Sequence, residues 1–462
     1  MVFTTLFAPI KKAEVISALS ASLKRFELPA ILGLILLIFS SPLSAGNNTP
    51  PYQFGLEDCI NYALKNQTDV LNQRFSQAIT GKQKKQAYGQ YLPQVSAGAT
   101  YQNNIKRQIA VFGGNTIQIG TKEQFQAHVD IDQQIFNPTF ISAIEGSRLE
   151  DNLASENTRL SEIDLVVGVM KAFYGVLVSR EQMTLLTANI TRSQKELTDT
   201  QYQYQNGLAQ KVDVDRIQVL VNNAITQKSN AERNLKSQMQ SLKFYMGMPV
   251  NDSLEIVGTI SEDLLKSVTP VPDSLFYRDR IEYHIANTEL KISELQKKNV
   301  TRSFLPTLSA FGSYVAPFYG NSFNAMFDIP YHPTIYVGLQ LSLQIFSGFS
   351  RVYQRQIADL NIKISNNNLL NLENNINLEY NNIYRLVQND RDNLETQKEN
   401  TSLAKTNYEN LKYQYDNGVQ PIINVLDAET TLLQAQNNYI NALYQLLIDQ
   451  VDLKKSLGQI EY

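Results

Sequence analysis

One short sequence that occurs twice constrains the fold of this chain more than any other feature. It reads Y-Q-Y-Q-N-G-L-A-Q at residues 202–210 and Y-Q-Y-D-N-G-V-Q-P at residues 413–421, about 211 residues further on. Asn-Gly suits the end of a helix, because glycine, and less readily asparagine, accepts the left-handed backbone that closes the last turn. Each copy therefore predicts the tight turn of a long helical hairpin. Two hairpins in one chain predict an elongated molecule.

The stretches around both turns are long and free of proline. Asn137 and Pro138 supply an N-cap and a first helical residue, and the next proline is Pro249. Apolar residues recur every three or four positions, which predicts a helix from about 138 to 204 and a return helix from about 211 to 247. At 1.5 Å per residue the first helix would run roughly 100 Å, too long to be buried in a compact domain. It has to pack alongside other helices.

The N-terminus carries the features of an export signal. Lys11, Lys12, Lys24 and Arg25 precede an apolar run at 29–39, which small residues follow. The run is too short to span a bilayer of roughly 30 Å as a helix. A positive flank, a short apolar core and a small-residue site near Ala45 predict a secretory signal peptide that is removed on export.

The remaining chain divides into two halves of the same predicted layout: helix, strand, strand, long helix, turn and helix. Y-L-P-Q-V-S-A at 91–97 corresponds to F-L-P-T-L-S-A at 304–310, and Q-I-F-N-P at 134–138 corresponds to Q-I-F-S-G at 344–348. The predicted organisation is a signal peptide over 1–45, a first structural repeat over 46–247, an irregular linker over 248–272, a second repeat over 273–458 and a tail over 459–462.

Within these halves we expect four strands, of which two have a clear pattern. Apolar and polar residues alternate over 125–132 and again over 334–345, which places the two kinds of side chain on opposite faces of a sheet. We expect helices over about 55–90 and 273–303, and a last helix that ends near Leu457. The other predicted strand starts are at 95–101 and after Pro306, and the predicted loops are at 113–115 and 317–333.

The amphipathic strands of an exported chain can form one of two kinds of sheet. An ordinary sheet would bury its apolar face against helices, whereas a membrane sheet would turn that face to lipid and close every strand edge. Four strands cannot close a membrane barrel, because the smallest have about eight. Two chains would give eight strands and a filled interior, and three would give twelve and a lumen. We favour three.

Composition and motifs argue against several classes of function. The net charge of −3 gives no sign of a nucleic-acid partner, and the single Cys59 excludes an internal disulfide framework and predicts an inert packed residue. His128, His284 and His332 lack the spacing of a metal site, and no catalytic motif is present. We therefore expect no catalytic residue, no metal and no cofactor. The alternative to a conduit is a secreted coiled-coil structural or adhesive protein without a pore.

The whole pattern resembles the outer-membrane efflux protein family, the TolC-type channel-tunnels of Gram-negative bacteria. The resemblance lies in the repeated layout, in the strand starts at Leu92-Pro93 and Leu305-Pro306, and in G-V-Q-P-I-I-N-V-L-D-A-E-T-T-L at 418–432. It implies a mainly α fold with a membrane β-barrel, in which a homotrimer shares a twelve-strand outer-membrane barrel and a twelve-helix periplasmic coiled-coil tunnel.

The same resemblance implies a function and partners. Such a trimer is the exit duct of a tripartite efflux or type I secretion system. It sits in outer-membrane lipid, extends into the periplasm and docks on a periplasmic adaptor protein and an inner-membrane RND or ABC pump. It conducts substrates passively to the outside through an iris-like periplasmic gate.

The resemblance also assigns residues to the periplasmic entrance. The closing contacts correspond to Tyr415, Asp213 and Gln420, and an acidic pair lining the pore corresponds to Asn424 and Asp427. Asn424 is neutral, so three subunits would present one acidic ring in place of two. Gln420 is neutral, so it cannot form a salt bridge with Asp213. Simple helix capping is an alternative role for Asp213 and Asn424.

The hairpin tips correspond to the adaptor-contact sites of the family. Turn chemistry alone would explain the glycines, but it would not explain an exposed leucine or valine. The residues concerned are Asn206, Gly207, Leu208, Asn417, Gly418 and Val419.

Overall fold

A computed structural model describes residues 52–260, 276–326, 328 and 332–462. The predicted signal peptide at 1–45 lies outside the described residues, and so does the end of the predicted linker, residues 261–272. None of the helices within the described ranges combines the length and the apolar character that crossing a bilayer as a helix requires.

The first helical segment is broken where the sequence predicts one helix. Strand β1 (Tyr52–Phe54) leads into α1 (Leu56–Asn66), and α2 (Thr68–Gly89) follows after one residue. Gln67 between them has an extended backbone with ψ 125°, and its side-chain oxygen accepts hydrogen bonds from the amides of Asp69 and Val70. These bonds satisfy the first amides of α2, so a glutamine takes the place of a usual N-cap residue.

Cys59 is packed inside this segment. It is fully buried in α1, and burial, helped by the charge of Asp58, raises the pKa of its thiol to about 12. The thiolate is the reactive form of cysteine, so Cys59 is an unreactive core residue at physiological pH.

Four of the strands in the described part of the chain form one antiparallel sheet. Its members are β2 (Gln94–Asn103), β5 (Glu123–Phe136), β7 (Thr307–Gly320) and β8 (Thr334–Ser342), in the order β2-β5-β7-β8. Ala127 of β5 lies opposite Ala99 of β2 and opposite Ala316 of β7. The two central strands are therefore paired on both sides. In β8 the apolar residues Ile335, Val337, Leu339 and Leu341 occupy alternate positions and are all exposed, Val337 by 82%.

The predicted loop at 113–115 is a turn, but the strands on either side of it were not predicted and two strand ends differ from the prediction. This turn belongs to a separate hairpin, β3 (Gln108–Phe112) and β4 (Asn115–Ile119), in which Gly113 and Gly114 have φ of 58° and 85°. Two successive positive φ values are what a two-residue hairpin turn requires. β7 continues through Pro317 to Gly320, and β8 ends at Ser342. Pro317 lies beyond the last residue of β7 that pairs with β8, which is Val315, so it interrupts no pairing with that strand.

Four long helices make up two hairpins, and the predicted bounds of the first hairpin are confirmed. Its helices are α3 (Pro138–Gln205, 68 residues) and α4 (Lys211–Met246, 36 residues), and those of the second are α6 (Ser350–Asp416, 67 residues) and α7 (Ile422–Ser456, 35 residues). The Asn137 side chain accepts a hydrogen bond from the Thr139 amide at 3.1 Å, as the predicted N-cap should. Strand β5 runs directly into α3 through this cap.

The shorter elements between the hairpins differ from the prediction. β6 (Leu254–Ile256) pairs in parallel with β1, in a segment predicted to be irregular. The helix expected from 273 begins later, as α5 (Ile281–Arg302), after a 3₁₀ turn at Phe276–Asp279. Backbone pairing between distant segments creates β6, and a three-residue strand leaves no readable period in the sequence.

Two separate apolar clusters hold the helices together. The larger cluster lies at mid-length and joins α1 and all four long helices. The smaller cluster lies towards the helix turns and joins α4, α6 and α7, with Leu197 of α3 at its margin. Its most buried members are Ile217, Val425 and Leu432. The helices are thus joined to each other near the Asn-Gly turns as well as at their centres.

Candidate functional site at the hairpin tips

The two Asn-Gly turns have the same backbone geometry. Gly207 and Gly418 have φ of 73° and 74°, and the amides of the next residues, Leu208 and Val419, donate to carbonyls five residues back at 2.8 and 2.9 Å. These bonds, with those of the glycine amides to Tyr204 and Tyr415, form the Schellman motif that ends a helix. The side-chain amides of Asn206 and Asn417 each donate to the carbonyl four residues earlier at 2.7 Å.

Each tip presents an apolar side chain to solvent. Leu208 is 80% exposed and Val419 is 69% exposed. The exposed tyrosines Tyr202 and Tyr413 lie at corresponding positions, six residues before Leu208 and Val419. Turn geometry explains the glycines but does not require an apolar residue after them, so both tips offer a small apolar surface for contact.

Asp213 contacts its own helix. The backbone amide of Gln210 donates to its carboxylate at 3.2 Å, and Arg216 lies 4.0 Å from the other carboxylate oxygen. Asp213 is the third residue of α4, where an acidic side chain also interacts favourably with the helix dipole. The capping contact considered from the sequence is therefore present.

Asn424 occupies the same position in α7 but has a different partner. The residue before α7 is Pro421, which has no amide hydrogen to donate, whereas Gln210 before α4 has one. The Asn424 side-chain amide instead donates to the side-chain oxygen of Gln420 at 2.7 Å. One proline thus directs Asn424 and Gln420, two predicted entrance residues, towards each other.

Tyr415 joins the two hairpins. Its hydroxyl donates to the Gln203 side-chain oxygen of α3 at 2.8 Å, and the Lys412 ammonium lies 5.3 Å from its ring centre. Burial is the main cause that raises the pKa of Tyr415, and the charge of Asp213 adds to it. Tyr415 and Asp213 therefore lie near each other, although the hydroxyl bonds to Gln203.

Asp427 stands apart from these contacts. It is exposed, whereas its neighbours Leu426 and Ala428 are buried, and it lies nearly one turn beyond Asn424 along α7. The carboxylate points away from the covered face of the protomer, as a residue lining a solvent channel would.

Next to the tips lies a buried polar layer that the sequence reasoning missed. Glu429 of α7 is 0% exposed; one of its oxygens accepts a hydrogen bond from the Ser193 hydroxyl at 2.7 Å and lies 3.5 Å from the Arg192 Nε. The Arg192 guanidinium stacks on the Tyr408 ring of α6, 4.9 Å from its centre. A signal was available, because Glu429 continues the three/four spacing of the buried residues Ile422, Val425 and Leu432.

Glu196 is the second buried carboxylate of this layer. It is 3% exposed, and the nearest cation, Lys412, lies 3.8 Å away and is closer to Asp416, at 2.5 Å. Burial, and then the charge of Glu429, raises the pKa of Glu196 to about 7. Two carboxylates thus lie buried near each other between α3, α6 and α7.

Comparison with known proteins identifies the family to which this architecture belongs. The sequence model of the family described as outer membrane efflux protein matches residues 59–248 and 300–459. Outer membrane protein TolC of Escherichia coli K12 is 20% identical over 446 residues, which cover 94% of this chain and 86% of TolC.

Two further proteins are similar over different extents. Alkaline protease secretion protein AprF of Pseudomonas aeruginosa is 23% identical over 235 residues, covering 49% of this chain and 47% of AprF. Among solved structures, CusC, described in connection with transmembrane channel formation, superposes with a TM-score of 0.75 at 17% identity and covers 87% of this chain and 92% of its own.

Proposed function

Because the chain belongs to the outer membrane efflux protein family, and is therefore an outer-membrane channel that extends into the periplasm, we propose that it is the exit duct of a three-part export system. In this proposal three identical chains form one duct, a periplasmic adaptor holds its inner end, and an inner-membrane pump loads it. The duct itself is passive.

The observation that carries the proposal is the four-stranded sheet. Strands β2 and β8 each have one edge with no strand partner among the described residues, and the apolar row of β8 is exposed. A sheet in hydrocarbon has to pair every edge, because each unsatisfied backbone group costs several kcal/mol. Pairing β8 of one chain with β2 of the next satisfies both edges, and three chains give about twelve strands with room for a lumen.

The polar face of the sheet and the helices fit the same assembly. On β5 the polar residues Gln126, His128, Asp130 and Asp132 alternate with apolar ones, and the Ser313 hydroxyl of β7 donates to Asp130 at 2.6 Å. These residues would face a wet interior. The four long helices of each chain would then contribute to a tunnel of about twelve helices that continues the barrel into the periplasm. The two similar hairpins support an origin by duplication.

The hairpin tips are the proposed docking site for the adaptor. Leu208 and Val419 are largely exposed, and both turns lie at the same end of the molecule because Tyr415 of one hairpin bonds to Gln203 of the other. Burial of exposed apolar surface is the dominant favourable term in most protein–protein association.

The proposal includes two forms of export, efflux and protein secretion. The name of the family supports efflux, for which the proposed partner is an RND or ABC pump. The name of the partial relative AprF, alkaline protease secretion protein, supports protein secretion, which the proposal assigns to a type I system. We infer that the pump selects the substrate. The coiled-coil structural or adhesive alternative has no support from a family of outer-membrane channels.

The gate is proposed at the same end. Tyr415, Asp213, Gln420 and Asn424 would form the contacts that narrow the entrance, with hydrogen bonds in place of a salt bridge, because Gln420 is neutral. Asp427 from three chains would form a single acidic ring at the mouth.

Single-channel recording tests the duct and the ring together. Purified protein in planar lipid bilayers should conduct in discrete steps, and multivalent cations added on the side of the tips should block the current. Asp427→Asn should weaken this block, because the ring loses its charge, and Asp427→Glu should retain it.

The outcomes separate the two parts of the proposal. Inserted wild-type protein that never conducts would contradict the duct. Equal cation block in wild-type protein and Asp427→Asn would contradict the ring and leave the duct intact.

A further inference from the structure

The buried layer beside the tips contains more negative than positive charge. Its buried carboxylates are Glu196 and Glu429, and the side chain of Asp416 at its edge is 50% exposed. Its cations are Arg192, which lies beside Glu429, and Lys412, which lies between Glu196 and Asp416. If every group is ionised, three negative charges face two positive ones. One proton taken up by a carboxyl group would make the layer neutral.

The hydrogen bonds of the layer leave room for that proton. Within the described part of the chain, neither carboxylate oxygen of Glu196 has a hydrogen-bond partner, and one oxygen of Glu429 has none. A buried ionised carboxylate in this condition is costly, whereas a protonated carboxyl group carries no charge and gains a hydroxyl donor. Two nearby carboxylates that share a desolvated site commonly share one proton.

We propose that Glu196, packed beside the buried Glu429, forms a proton-binding site between the two hairpins, and that the bound proton tightens the packing of α3 against α6 and α7. Loss of the proton leaves a net negative charge in a dry layer and loosens this packing. The tips beyond the layer then separate more easily. The site senses the pH of the compartment around the tips.

The charged and titratable groups that face the pair come from every helix around it. Helix α3 contributes Arg192, and α6 contributes Tyr408, Lys412 and Asp416. Helix α4 contributes Asp213, whose charge reaches Tyr415 at the edge of the layer. Lys412 cannot neutralise both of its acidic neighbours, since it lies 2.5 Å from Asp416 and 3.8 Å from Glu196.

The direction of the effect follows from the pKa of Glu196. Burial and Glu429 raise the pKa of Glu196 from 4.5 to about 7, so between these values the folded chain holds a proton that the unfolded chain does not. Stability from this proton is therefore fully present at acidic pH and is lost as the pH rises through about 7. Acid tightens the layer.

Hydrogen exchange on the full, detergent-purified protein tests the proposal. Amides of residues 193–205 and 405–419 should be more protected at pH 5.5 than at pH 8, on the order of tenfold, after correction for the intrinsic pH dependence of exchange. Glu196→Gln, which mimics the protonated form, should give high protection at both pH values. Glu429→Gln should also reduce the difference.

The control is Glu409→Gln. This change removes an exposed carboxylate of α6 whose ion pair with Lys405, at 3.9 Å, is long and exposed to solvent. It should keep the wild-type pH difference. Wild-type protein whose tip amides show no pH difference would overturn the proposal, and so would a Glu196→Gln protein that keeps it. The wild-type series decides the matter even if a variant fails to fold. Amide exchange does not depend on conduction, so failure here leaves the proposed duct untouched.

Discussion

Three glycines, Gly89, Gly207 and Gly247, differ in their backbone conformation and surroundings, although the sequence alone does not distinguish them. Gly207 and Gly247 both have positive φ, of 73° and 67°, whereas Gly89 lies in an ordinary helix. Space around them differs. A Cβ on Gly207 or Gly89 would meet nothing within 4 Å, but a Cβ on Gly247 would lie 2.8 Å from the Asn66 carbonyl oxygen and the Gln67 backbone.

Alanine at these three positions should therefore give graded effects. Gly89→Ala should be neutral or slightly stabilising, because alanine restricts the unfolded chain and fits a helix. Gly207→Ala should cost about 1–2 kcal/mol of left-handed strain. Gly247→Ala should cost more, because strain and a backbone clash add. The measurement is the loss of helical circular dichroism on heating. Equal midpoints for Gly207→Ala and Gly247→Ala would show that the contact with Asn66 is unimportant.

The elements at the tips depend on contacts between helices far apart in sequence. Tyr415 of α6 bonds to Gln203 of α3, and Ser193 of α3 bonds to Glu429 of α7. Each of these bonds is short and at least partly shielded from water. Together they hold the second hairpin against the first near the proposed entrance.

Removal of the Tyr415 hydroxyl should loosen this contact. Tyr415→Phe deletes one neutral hydrogen bond, worth about 0.5–1.5 kcal/mol, so tip amides should exchange about two- to tenfold faster. Tyr413→Phe is the matched control, because Tyr413 lies on the same helix with 72% of its surface exposed. If both variants exchange alike, the bond between Tyr415 and Gln203 does not hold the tips together.

The whole molecule presents a sheet that a single chain does not complete. Each chain supplies four strands with two outer edges, and such edges pair readily with other chains. In a lipid environment this pairing becomes obligatory. The proposed trimer therefore rests on the sheet and not on the helices.

The mass of the detergent-extracted protein, corrected for bound detergent, should equal three mature chains. Closed pairing of four strands per chain around a lumen is the reason. A mass of two chains would indicate an eight-strand barrel with a filled interior, and a monomer would leave β2 and β8 unpaired. Either result would contradict the shared twelve-strand barrel.

Features that depend on neighbouring residues could be predicted from the sequence. The Asn-Gly turns, the start of α3 at Asn137-Pro138 and the length of the helices follow from local backbone preferences and a repeated apolar spacing. The alternation in β5 and β8 is local in the same way. These preferences act over a few residues, so one sequence is enough to recognise them.

Features that depend on residues far apart in the sequence could be recognised only in the folded chain. The helix break at the extended residue Gln67 is marked by neither a glycine nor a proline. Strand β6 forms because β1, about 200 residues earlier, pairs with it. Glu196 and Glu429 are charged residues whose burial depends on α6 covering them. A carboxylate on a helix is exposed or buried according to what packs against that face, and this is set by contacts between residues 236 positions apart, such as that of Ser193 with Glu429.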